Sequence, residues 1–351
     1  MPDLLKLTPS GLYCKAGDFY VDPWRPVDCA VITHAHSDHA RWGMGKYLCA
    51  TPGLAVLRTR MGPDANISTL EYGESLTING VKVSLHPAGH ILGSSQVRIE
   101  DNGEVWVASG DYKTEVDPTC APFEPVKCHT FITESTFGLP IYRWAPEREV
   151  FAQINAWWRS NQLAGRTSMM YGYTLGKAQR VIAGVDPSIG PIFAHGAVQP
   201  INEGYRWAGV KLPPTKLATT MEKGFDWSQA LIVAPPSANG TPWLRRFGDI
   251  ATGFASGWMQ IRGARRRRAI DRGFVLSDHV DWPSLLAAVS STGAERVWVT
   301  HGYSNIVARY LVEQGLRAEV VPTRFVGESL DEDENETPIE SALKKEEAGS
   351  E

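Results

Sequence analysis

The chain has 351 residues, 43% hydrophobic and 21% charged, with 33 glycines and 23 prolines. That is enough to bury the core of one large or two ordinary domains, and it excludes disorder, coiled coil and collagen as the overall class. The net charge of -4 is unevenly spread: residues 328–351 hold ten acids and two lysines, which leaves the 327 residues before them at +4.

No apolar run is long enough to span a bilayer, and the first residues lack a basic stretch followed by an apolar one. A soluble, cytoplasmic protein is expected. Short apolar runs closed by polar residues predict buried strands at 27–33, 81–85, 104–108, 130–133, 230–234, 273–276 and 296–300. Helical spacing predicts helices at 147–159, with Val150, Ile154, Trp157 and Trp158 on one side, and at 283–289 and 306–313. The turns Asn79-Gly80 and Asp101-Asn102-Gly103 favour early antiparallel hairpins, whereas later strands alternate with helices, so the class is α/β in mixed order. Five cysteines without a C-x-x-C pair predict buried, reduced thiols rather than a disulfide framework or a thiolate zinc site. Trp106, Trp157 and Trp298 lie in apolar runs and are assigned to the core rather than to base stacking. Residues 327–351 have almost no large apolar side chains and are expected to be an acidic, disordered tail.

The histidines carry the functional signal. Three of the nine, His34, His36 and His39, fall within six residues together with Asp38, directly after the strand at 27–33. At a strand's carboxyl end side chains can converge on one point, and imidazole and carboxylate are the ligands that zinc and similar metals prefer. His34 and His36 can face one ion, while Asp38 and His39 point elsewhere, which suggests a second ion beside the first. Further strands end in the same way: His90, Asp111, Glu134, His279 and His301 each follow an apolar run. Any one of these alone would ordinarily be a structural residue or a turn cap. His86, His129 and His195 lack such partners and are set aside as structural.

The motif His34-x-His36-x-Asp38-His39, followed by His90 in AGHILGS and Asp111 in SGDYK, resembles the metallo-β-lactamase superfamily. Glu134 in FITESTFG, the segment YTLGKAQRV at 173–181, His279 in LSDHVDW and His301 in VTHGYS resemble motif A, the start of the inserted domain, motif B and motif C of its β-CASP nuclease branch. Within that branch the chain is most like the bacterial DNA ligase-associated exonucleases. The resemblance, over residues 5 to 326, implies an αββα sandwich interrupted by a β-CASP-like α/β domain. The sandwich would comprise 1–138 and 263–326, with the insertion at 139–262. It also implies two divalent metal ions, zinc by default and manganese as the alternative. One would be held by His34, His36 and His90 and the other by Asp38, His39 and His301, with Asp111 bridging. Catalytic roles fall to Asp38, to His279 as the acid for the leaving oxygen, and to Glu134 as its partner.

Arg262, Arg265, Arg266, Arg267, Arg268 and Arg272 form a cationic run broken by Asp271 as its one acid. It is read as a sequence-independent phosphate contact, with a solvated linker as the bland alternative. The loop PPSANG at 235–240 could offer backbone N–H groups to a phosphate, although a loop of that composition is usually only a loop. The expected function is a metal-dependent DNA exonuclease in repair, with nucleic acid, a DNA ligase and other repair proteins as partners. An RNA-processing nuclease is the alternative, since in the family a motif C histidine such as His301 is associated with RNA enzymes. A small-molecule metallo-hydrolase is disfavoured by the insertion, Glu134, His279 and the arginine run, and a catalytically dead binding subunit by the complete ligand set.

Overall fold

A computed structural model describes residues 3–261 and 270–323. The chain divides into two compact units, one formed by Met1–Arg143 with the returning Asp278–Ser329 and the other containing Trp144–Ser277. Among the described residues no helix is long and apolar enough to cross a membrane.

The first unit contains two sheets. One has the order β1 (Lys6–Thr8), β2 (Gly11–Cys14), β3 (Phe19–Val21), β4 (Cys29–Val31), β5 (Lys46–Ala50), β6 (Ile67–Leu70). The other has seven strands: β19 (Arg317–Val320), β18 (Arg296–Val299), β11 (Thr130–Thr133), β10 (Glu104–Ala108), β9 (Ser95–Asp101), β8 (Val81–Pro87) and β7 (Ser75–Ile78). Side chains alternate across a strand, so successive residues of each strand are sent to opposite faces of its sheet. Phe19, Val21, Val31 and Leu48 of the first sheet share a core with Val83, Val97, Ile99, Trp106 and Trp298 of the second. The opposite face of the second sheet, through Val107, Phe131 and Val297, packs on α5 (Trp282–Thr292) and α6 (Ser304–Glu313) by way of Leu285, Val289, Val307 and Leu311. Helix α1 (Leu54–Met61) follows β5 in the first sheet.

The two predicted hairpins form. Asn79 and Gly80 both have positive φ, 48° and 89°, and join antiparallel β7 and β8, while Asn102 and Gly103 do the same for β9 and β10. Early pairing is nevertheless not uniformly antiparallel, because β3 to β6 run parallel. Turn residues report only on the strands they join directly. Cys14, Cys49 and Cys128 are buried free thiols as expected, whereas Cys29 and Cys120 are only half-buried. Trp106, Trp157 and Trp298 are buried.

The second unit is built on an all-parallel sheet. Its order is β14 (Thr215–Leu217), β13 (Ile192–Ala194), β15 (Leu231–Ala234), β12 (Thr167–Tyr171), β16 (Ile250–Ala255), β17 (Arg272–Phe274). Helices α2 (Glu147–Leu163), α3 (Lys177–Gly184) and α4 (Gln199–Trp207) connect the strands, and α2 buries Val150, Ile154, Trp157 and Trp158 as its periodicity requires. The resemblance implies an insertion ending at about Arg262; β17 pairs with β16, and this compact unit includes Ser277. In the 235–240 loop, the N–H groups of Ala238 and Asn239 are taken by the carbonyls of Pro235 and Pro236, so they are not available to a phosphate.

His195, at the end of β13, accepts a hydrogen bond at Nδ1 from the Ala197 N–H at 3.1 Å and packs its ring on Trp243. Burial, aided by the charge of Arg246, pushes its pKa down to about 4. The unfolded chain takes up this proton near pH 6.5, so the stability conferred is complete above that pH and is lost as pH falls toward 4. The loss is expected to reach about 2 kcal/mol by pH 5. Chemical denaturation of His195→Asn, which keeps an acceptor but does not titrate, should show a correspondingly smaller loss of stability between pH 7.5 and 5.

Candidate metal centre

The cluster begins where β4 leaves the first sheet. Residues 32–40 have no regular structure except a single turn in which the His39 and Ala40 N–H groups both bond to the His36 carbonyl. That turn swings His39 away from the direction shared by His34 and His36. Nδ1 of His36 lies 3.1 Å from Nε2 of His34 and 3.1 Å from Nε2 of His90. His90 arrives on the loop after β8, where Gly89 has φ 74° and a Cβ there would stand 2.1 Å from the Lys113 carbonyl oxygen. Only glycine allows this loop to pass so close to the one carrying Asp111.

Asp111 sits at the centre. One of its oxygens is 3.5 Å from Nε2 of His34, 3.3 Å from Nε2 of His39 and 3.9 Å from Nε2 of His90. Three donor groups therefore share this carboxylate, each with ligand atoms within 4.8 Å of one another: His34, His36, His90 and Asp111; His39, Asp111 and His301; and Asp111, Glu134 and His279. The Asp38 carboxylate lies 3.5 Å from Nε2 of His39 and lines the same cavity as His39 and His301. His301 follows β18 with φ 53°, a left-handed conformation uncommon for a residue with a Cβ.

The rings are held from behind. Nδ1 of His90 donates to the Asp278 carbonyl at 2.8 Å, and Nδ1 of His34 lies 3.1 Å from the Thr33 hydroxyl. Nδ1 of His39 donates to Asp22 at 2.7 Å. The same carboxylate accepts the Thr33 N–H at 2.8 Å and the Thr33 hydroxyl. Asp22 gives no signal in the sequence, where an acid before a proline at a strand end reads as a turn. It is the carboxylate that sets the tautomer and aim of His39.

Burial and the neighbouring imidazoles hold His34 and His90 well below the usual histidine pKa, so both are neutral and able to donate a lone pair. Burial also acts to lower His39, but the carboxylates of Asp111, Asp38 and Asp22 outweigh it and raise that ring well above its ordinary value. Burial alone would lift Asp111, yet His39 and the other imidazoles keep it ionised, well below the usual carboxylate range.

These residues fit divalent cations. Metal–nitrogen bonds of about 2.0 Å in a tetrahedron place ligand atoms about 3.3 Å apart, close to the spacing of His34, His36 and His90. Oδ1 of Asp111 and Nδ1 of His301 are buried without a hydrogen-bond partner among the described residues, as ligand atoms would be. Beside them Nδ1 of His279 donates to Glu134 at 2.9 Å, and Glu134 also accepts the Tyr112 N–H at 2.8 Å. Glu134 therefore faces His279 rather than only capping its own turn. Of the arginine run, Arg262 and Arg265 to Arg268 lie outside the described residues, and Arg272 begins β17 with its guanidinium 5.1 Å from the centre of the Phe274 ring. His86, His129 and His195 stand outside the three groups, and each contacts a local hydroxyl or backbone N–H.

No family model matches the chain. It is 30% identical over 315 residues to a protein named Probable DNA ligase from Opitutus terrae, a match covering 88% of this chain and 30% of that protein. It is 32% identical over 124 residues to the Endoribonuclease YSH1 of Saccharomyces cerevisiae, covering 34% of this chain and 15% of that one. The chain thus spans less than a third of the length of these relatives. A crystal structure of a protein of unknown function from Enterococcus faecalis shares the fold at a TM-score of 0.56 and 11% identity, covering 84% of this chain and 79% of that one. The histidine and aspartate groups around Asp111 and the likeness to these relatives agree with the resemblance of the sequence motifs to the β-CASP branch of the metallo-β-lactamase superfamily.

Proposed function

We propose that this protein is a metal-dependent phosphodiesterase acting on DNA, an exonuclease whose first unit is an αββα metallo-β-lactamase sandwich and whose second is a β-CASP domain. The observation that carries this reading is Asp111, one buried carboxylate common to two histidine groups and to the Glu134–His279 pair. His34, His36 and His90 would hold one divalent ion and Asp38, His39 and His301 the other, with Asp111 bridging. Zinc is the default occupant and manganese the alternative. Bound ions of this kind neutralise phosphoryl charge and activate water near neutral pH. Asp22 and the Asp278 carbonyl orient the rings of His39 and His90. Glu134, fixed by the Tyr112 N–H, accepts the Nδ1 proton of His279 and leaves Nε2 to carry the proton for the departing sugar oxygen.

DNA is favoured because the ligase-named relative matches 88% of the chain, against 34% for the yeast endoribonuclease. That second likeness, with His301 at motif C, supports RNA as the alternative substrate. Labelled single-stranded DNA and RNA of matched sequence, incubated with zinc or manganese, decide between them. Faster RNA cleavage under both metals would reject the DNA reading. A DNA ligase and other repair proteins are the proposed partners, and the cytoplasm the proposed compartment.

The arginine run would contact the nucleic-acid backbone. Alanine at Arg265, Arg266, Arg267 and Arg268 should weaken binding and flatten the dependence of log affinity on log salt by about 0.7 to 0.9 for each phosphate that is no longer neutralised. Metal content and hydrolysis of a small diester should survive. An unchanged salt slope would return the run to a solvated linker.

A further inference from the structure

Helix α3 buries two cations completely. Lys177 and Arg180 are 0% and 1% exposed. A buried charge is costly, and an apolar side chain of similar size would ordinarily pack at least as well, so stability alone does not account for the pair. Their bonds are directed at successive carbonyls. The Lys177 ammonium donates to Leu276 at 3.0 Å and the Arg180 guanidinium to Ser277 at 2.8 Å, while Arg180 is itself paired with Glu147. The helix start carrying them is also fixed. The Gln179 side chain accepts from the Gly176 N–H at 2.8 Å and donates to the Thr174 carbonyl and to Asn202.

Leu276 and Ser277 are the last two residues of the second unit, and one peptide bond joins Ser277 to Asp278. The next three residues are bonded in the first unit: the Asp278 carbonyl accepts from His90, the His279 ring donates to Glu134, and the Val280 N–H donates to the Tyr112 carbonyl. Five consecutive residues, 276 to 280, thus have a backbone or ring atom held by a specific partner, and the first two partners are the buried cations. We infer that Lys177 and Arg180 are positioning residues, which anchor the incoming chain so that His279 is presented in one conformation. This rests on the phosphodiesterase reading above, in which His279 protonates the leaving oxygen.

The test uses the metal-loaded full chain with two changes, Lys177→Met and Arg180→Lys, the second keeping the pair with Glu147 while shortening the reach to Ser277. Each should slow an ordinary dinucleotide diester by about 10- to 100-fold, the scale expected when a reacting group is displaced by about an ångström. Hydrolysis of bis(4-nitrophenyl) phosphate, whose leaving group needs no proton, should change little. Hydrogen exchange of the metal-free protein should quicken at residues 278–280 and not in β8. Equal losses on both substrates, or unchanged exchange at 278–280 in both variants, would overturn the inference. If Lys177→Met does not fold, Arg180→Lys decides alone. Should the unaltered protein hydrolyse neither substrate, the phosphodiesterase reading fails, while the exchange measurement still decides the anchoring.

Discussion

Asp111→Asn is expected to abolish phosphodiester hydrolysis and to lower the content of tightly bound divalent metal, with cooperative unfolding retained. The amide keeps the shape of the carboxylate and loses the charge that faces four histidines, His34, His39, His90 and His279. Even the outer partners of metal ligands are worth about 10- to 100-fold in metal affinity, so a shared ligand should cost more than about 100-fold. Elemental analysis after dialysis and a diester assay check both parts. His86→Ala, whose ring contacts the Ser84 hydroxyl on β8, is the paired control and should lose little. Near-normal activity with metal fully bound in Asp111→Asn would show that the carboxylate is not a shared ligand.

The second large effect is at His279. Loss of a positioned general acid costs about 10² to 10⁴ in rate, so His279→Ala should slow ordinary diesters by that factor while barely changing nitrophenyl esters. Glu134→Gln should reproduce part of the same split, because the ring then loses the carboxylate that accepts its Nδ1 proton at 2.9 Å. Equal losses of His279→Ala on both ester types would assign the ring to substrate or metal positioning instead.

Much of this site was legible along the chain because each of its residues ends a short apolar strand. A strand's end is marked by composition, and the candidates His34, His36, His39, His90, Asp111, Glu134, His279 and His301 follow such ends, although singly each reads as a structural residue or turn cap and their roles came from the motif resemblance. Local turn chemistry was equally readable: Asn79-Gly80 needs positive φ at both residues, and it has it. Helix α2 followed from spacing, since an amphipathic stripe depends only on which residues recur every three or four positions.

What could not be read was anything set by distance through space. Asp22 is an ordinary acid before a proline until folding brings it 2.7 Å from His39, 17 residues away. The pairing of β17 with β16 was not legible either, since a strand's choice of neighbour leaves no mark on its own residues. The parallel run of β3 to β6 was hidden for the same reason. Residue type at a strand's end is a local property, and it was enough to say which side chains could do metal and proton chemistry. The resemblance already implied Asp111 as the shared carboxylate, but that Asp22 and the Asp278 carbonyl aim the rings emerged only in three dimensions, because orientation comes from packing among elements far apart in the chain.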